Sequence, residues 1–202
     1  MFVASLVILI LLMPLTNAVQ EPAFDAPSQA LLTYAKADQA PSSKIAFVGM
    51  LGLFGFLMFA VTLAVRFRDA GHGSSVPWIL VIVAATVMVV MWMALVGLTI
   101  GGELRRRDID ATGASVYFGV DNGIFVASWY AVAGFLATAG AAALWSRGLP
   151  IWLGWSAVVI GAALFTASAF PLKPFWYFPY LLFYVWVAAA SIALLRSAPR
   201  TA

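Results

Sequence analysis

Five stretches of this 202-residue chain run for 20 to 23 residues without a charged side chain: Ile45–Val65, Trp78–Ile100, Ile124–Trp145, Ile151–Phe170 and Phe175–Leu195. At about 1.5 Å of rise per helical residue, each is long enough to cross the roughly 30 Å of a bilayer's hydrocarbon. Within that layer every backbone amide and carbonyl must be satisfied inside the chain, so such stretches fold as helices. Each is bounded by charge or proline: Lys44 and Arg66, Pro77 and Glu103, Asp121 and Arg147, Pro150 and Lys173, Pro174 and Arg196. The expected fold class is an all-α polytopic transmembrane helix bundle forming a single domain over 1–202.

Composition narrows the function classes. Apolar residues make up 64% of the chain and charged residues 9%, too few charges to coat a water-facing surface. A soluble enzyme, a disordered chain and an ordinary nucleic-acid binder are thereby excluded. Cysteine is absent and His72 is the single histidine, which removes disulfides, thiol nucleophiles, iron–sulfur clusters and multi-histidine metal sites. No cofactor and no catalytic residue are expected, and the balance leans away from an enzyme. The net charge of +3 sits in short clusters between apolar runs, where Lys and Arg act as topology signals and headgroup anchors. The lipid bilayer is the expected partner, and no nucleic acid.

The N-terminal run Phe2–Leu15 is short for a span and long enough for a signal-peptide core. No positive charge precedes it, which favours a retained helix over about 2–19 and six spans. Cleavage after Ala18 would leave five. Six spans put both termini in the cytoplasm, with Arg66, Arg68, Arg147, Arg196 and Arg200 inside and Lys36, Lys44, Arg105, Arg106, Arg107 and Lys173 outside. In the outer segment 20–44, Ser28 reads as the N-cap of a short helix reaching about Asp38. Its apolar side (Leu31, Leu32, Tyr34, Ala35) suits the bilayer surface or a lid.

The five apolar stretches hold hydroxyls as their only strongly polar side chains: Thr62, Thr86, Thr99, Ser128, Thr138, Ser156, Thr166, Ser168 and Ser191. Such groups bond back to their own helix or bridge two helices. A proton-coupled transporter, which needs ionisable groups in the bundle, is disfavoured. Small residues at helical spacing mark packing faces: Ala133, Ala137 and Ala141, then Ala157 and Gly161, then Ala189 and Ala193. These suit contacts within the bundle or a homo-oligomer seam. Met88 and Met91 read as gap-fillers rather than metal ligands. Trp92, Trp129, Trp155 and Trp186 lie deep in their spans, either packed or lining a lipophile pocket.

One polar constellation stands out, the segment Gly101–Gly123, read as a loop. Its candidate site residues are Glu103, Arg105, Arg106, Arg107, Asp108, Asp110, Asp121 and Asn122. The acids suit an acid/base pair or a hard cation, and the arginines oppose that field. Asp121-Asn122-Gly123 reads as the start of the following helix.

Phe24-Asp25-Ala26-Pro27 before a short helix, Arg66-Phe67-Arg68 closing a span and Gly148-Leu149-Pro150-Ile151-Trp152-Leu153-Gly154-Trp155 between two spans together resemble a family of small bacterial multi-pass membrane proteins. The hairpin is its distinctive piece, with Ile151 where the family has Arg. The resemblance implies this architecture and a bacterial cytoplasmic membrane, and it brings no chemistry with it. Three function classes follow. The first is a non-enzymatic interaction or accessory subunit of a larger membrane complex. The second is a carrier or binder of a lipophilic small molecule, with a cavity between the spans at 78–100, 124–145 and 175–195. The third is a membrane enzyme needing two of Glu103, Asp108, Asp110 and Asp121 over one cavity.

Overall fold

The computed structural model describes residues 22–37, 42–71, 76–171, 175 and 177–197, without the side chains of 42–47 and 197. The segment 2–19, His72, Lys173 and Trp176 lie outside the described residues. Those residues form six helices: α1 (Ser28–Lys36), α2 (Ser42–Ala70), α3 (Val76–Arg105), α4 (Ala111–Ser146), α5 (Ile151–Ser168) and α6 (Tyr177–Ser197). The fold is all-α, as expected. Helices α2 to α6 are long and apolar enough to cross a membrane, which fits a multi-pass integral membrane protein.

The described residues fall into two compact units, one within Met1–Gly55 and Val90–Ala127, the other within Phe56–Val89 and Ser128–Ala202. The core of the second is aromatic. Phe56 stacks edge-on against Phe135 at 5.0 Å between ring centroids, and Phe183 lies 6.0 Å from Phe56. Trp186 closes the cluster against Phe59 and Phe135, and its indole N–H donates to the Leu153 carbonyl of α5 at 2.9 Å. Trp186 and Trp129 are therefore packed, whereas Trp155 points outward and is 58% exposed, so it lines no internal pocket. Met88 is fully buried in helix packing. Outside the core, Met58, Val61 and Val65 of α2 and Val83 and Val87 of α3 are exposed apolar side chains that suit lipid contact.

Helices α4 and α5 meet at small residues. A Cβ on Gly140 would stand 2.8 Å from the Gly154 carbonyl and 3.1 Å from the Ala157 Cβ; one on Gly161 would stand 3.0 Å from the Ala133 carbonyl. The close-approach face of α4 thus runs through Ala133, Leu136 and Gly140. Of the ladder expected through Ala133, Ala137 and Ala141, Ala133 lies on this face and the Ala137 nitrogen stands 3.4 Å from the Gly161 Cβ position, while the Ala137 and Ala141 side chains are exposed. Ala157 and Gly161 are buried in that contact, and Ala189 and Ala193 of α6 are half-buried.

The hydroxyls on the spans mostly bond back to their own helix. Thr62, Thr86, Thr99, Thr138, Thr166 and Ser191 each donate to the carbonyl four residues earlier, and Ser156 and Ser168 to the one three earlier. Ser128, buried on α4, is hydrogen-bonded to Tyr180 of α6.

The α4–α5 hairpin turns at Arg147, whose φ of 56° puts a non-glycine residue in the left-handed region. That residue, rather than Gly148, takes the conformation that ends α4. Ser146 Oγ accepts from the Gly148 amide at 3.1 Å, and Pro150 opens α5.

Candidate functional site

The segment Gly101–Gly123 is not a loop. Helix α3 continues to Arg105, a short turn follows, and α4 begins at Ala111. Asp110, rather than Asp121, caps that start: its Oδ1 accepts from the Gly113 amide at 2.7 Å. Asp121 and Asn122 therefore lie in the interior of α4, about three turns in. The reason is a helical period hidden by glycines. Ala114, Tyr117, Phe118 and Asp121 recur at i, i+3, i+4 and i+7 and so share one face.

That face is covered by α1. Leu31, 6% exposed, packs on Ala114 and Phe118, with Leu32, Tyr34, Ala35 and Ile109 around them. The Tyr34 and Phe118 rings lie 5.7 Å apart, and Phe24 sits edge-on to Phe125 at 6.4 Å. The apolar side of α1 is thus taken up by α4 rather than by the bilayer surface. Ser28 is the first helical residue, Pro27 is the N-cap, and the helix ends at Lys36 rather than near Asp38. The Arg106 guanidinium donates to the Ala37 carbonyl just past that end, at 3.2 Å. A cation on the terminal carbonyls complements the helix dipole and fastens α1 to the α3–α4 turn.

Beneath α1 lies a cavity of about 200 Å³. Its polar lining comes from Thr99, Glu103 and Arg106, from Tyr34 and Tyr117, and from Asp121, with Ala35, Ile109 and Phe118 as its apolar wall. No described residue of 175–195 contributes, so this is not the cavity expected between the spans. Of the candidate residues, the structure gathers Glu103, Arg106 and Asp121 into this lining. Arg105, Arg107, Asp108 and Asp110 are exposed around the turn, and Asn122 is half-buried outside the lining. Sequence reasoning missed Thr99, Tyr34 and Tyr117. The repeat at 114, 117, 118 and 121 was the available signal for Tyr117.

Gly102 shapes one wall. A Cβ there would fall 2.6 Å from Tyr117 Cζ, so the ring lies flat on bare backbone. Gly102→Ala is expected to push the Tyr117 ring into the cavity, while melting within about 2 °C of the parent. The helix-propensity gain of about 1 kcal/mol offsets the displaced ring. Melting curves, together with binding of the ligand proposed below, check this. Among the described residues, no three acidic or histidine side chains group closely enough to hold a metal ion. Comparison with known proteins returned no match to a family model, a curated protein or a solved structure.

Proposed function

We propose that this integral membrane protein binds a small amphipathic molecule carrying a positive charge, held in the cavity beneath α1. The supporting observation is that Glu103 and Asp121 line one small, half-open cavity with the rings of Tyr34, Tyr117 and Phe118. Two acidic side chains against one guanidinium give that space an excess of acidic groups that can pair with a cation, and aromatic faces attract cations. At about 200 Å³ the cavity is smaller than the roughly 300–1,000 Å³ of sites for drug-sized ligands, so the ligand is small. Helix α1 acts as the lid, and Arg106 as its latch. This favours the ligand-binding class over the accessory subunit. The reading places the protein in a bacterial cytoplasmic membrane with its termini inside and the α3–α4 turn outside. Helix pairing through the α6 alanines, in a homo-oligomer or larger complex, is compatible with it.

The test is native mass spectrometry of protein gently extracted from its own membrane. The parent is expected to carry one small cationic mass per chain. The Glu103→Gln/Asp121→Asn double variant is expected to lose it without a drop in melting temperature. A bare parent, or a double variant that keeps the mass, sinks the proposal. The same carboxylate pair would also serve an acid–base reaction; a retained mass corresponding to two interconverted species would carry that second reading.

A further inference from the structure

A second cavity, in the other unit, has the opposite charge. Arg66 at the end of α2, Arg147 in the α4–α5 turn and Arg196 in the last turn of α6 all line a groove of about 610 Å³. No acidic side chain is among its described lining residues. Asp69, the acid nearest in sequence, pairs with Arg68 at 3.1 Å. The rest of the lining is apolar, with Ala189 and Ala193 one turn apart on α6 and the exposed indole of Trp152 at the rim. Guanidinium forks match the oxygen geometry of a phosphate, and an apolar trough flanked by an interfacial indole suits an acyl chain.

Two features mark this cluster, a held Arg66 side chain and an unusual backbone at Arg147. Arg66 Nε donates to the Gly148 carbonyl at 3.0 Å, which fixes its fork beside the turn. Arg147 holds a left-handed φ of 56° that L side chains rarely adopt, although a glycine follows it immediately. A turn built only for stability would place the glycine there. We infer that this groove binds a phosphate group carried on a lipid, the headgroup of an anionic phospholipid, gripped by Arg66, Arg147 and Arg196.

The experiment uses the full-length protein in dodecyl maltoside, with native mass spectrometry and melting temperature as readouts. Phosphatidylglycerol, phosphatidylcholine and glycerol phosphate are titrated in turn. Phosphatidylglycerol is expected to bind about tenfold more tightly than phosphatidylcholine, and Arg66→Gln and Arg196→Gln each to weaken it by about tenfold. Arg147→Gly is the sharper variant. It relieves the backbone and is expected to raise the melting temperature of lipid-free protein while weakening phosphatidylglycerol binding. Should Arg66→Gln misfold through loss of its bond to Gly148, Arg196→Gln at the exposed end of α6 carries the same test. Equal affinity for phosphatidylcholine would reduce the site to an apolar groove and overturn the inference. So would an Arg147→Gly protein that binds phosphatidylglycerol undiminished. Displacement of the lipid by glycerol phosphate at comparable concentration would assign the site to a soluble phosphate and overturn the lipid.

Discussion

Gly140→Leu is expected to destabilise the protein by about 3 kcal/mol, at the upper end of what overpacking costs, or to prevent folding. The site has nowhere to relax. A side chain there meets the Gly154 carbonyl and Val158 Cγ2, both at 2.8 Å, and a carbonyl cannot swing aside as a side-chain tip can. In lipid the helices gain nothing from being driven out of water, so shape complementarity at this contact carries much of their association. The control lies on the same helix. Gly134 is exposed, with nothing within 4 Å of where a Cβ would stand, and Gly134→Leu is expected to melt within about 2 °C of the parent. Thermal unfolding of the two variants in detergent settles the matter. Replacing Gly by Leu raises helix propensity at both positions, so similar losses in both would show that the α4–α5 contact does not set the cost.

Trp186→Ala is expected to cost about 3–5 kcal/mol, the range for emptying a buried aromatic site. The side chain is 2% exposed, touches Phe59 and Phe135 and makes a hydrogen bond from α6 to α5. Trp186→Phe separates the two contributions. It keeps most of the ring packing and removes only the indole N–H, a loss of about 1 kcal/mol. The Leu153 carbonyl would still accept from Ser156 Oγ at 3.1 Å, so no buried acceptor is stranded. Denaturation midpoints for the two variants should therefore differ by at least about 2 kcal/mol once converted. Near-equal losses would mean that the hydrogen bond, and not the aromatic cluster, holds α6 in place.

The apolar stretches were legible because hydropathy over 20 residues is a bulk property, insensitive to any one position. The site was not legible in that way. Gly119, Gly123, Asp121 and Asn122 are residues of turns and caps, and taken singly they argue for a helix start. What overrides them is the docking of Leu31 onto Ala114 and Phe118, a contact between positions more than eighty residues apart. The packing face of α4 failed for a different reason. Small residues occur almost all round that helix, at Ala133, Gly134, Ala137, Ala139, Gly140 and Ala141. Spacing alone then offers several equivalent ladders, and only the partner α5 selects among them. The candidate list did contain Glu103, Arg106 and Asp121, because charge next to a span is conspicuous. It could not separate them from Arg105, Arg107 and Asp108, which differ only in the direction the turn gives them.

The self-satisfied hydroxyls bear on how the chain is made. Thr62, Thr86, Thr99, Thr138, Thr166 and Ser191 each find their acceptor one turn back on the same helix. These spans can leave the insertion machinery with those polar groups already quenched, without waiting for a neighbour that has not been synthesised. Trp186 is different, because its N–H needs a carbonyl on another helix. That carbonyl belongs to Leu153, which is translated first and sits on the span inserted immediately before. The order of synthesis therefore delivers each acceptor before its donor enters the bilayer.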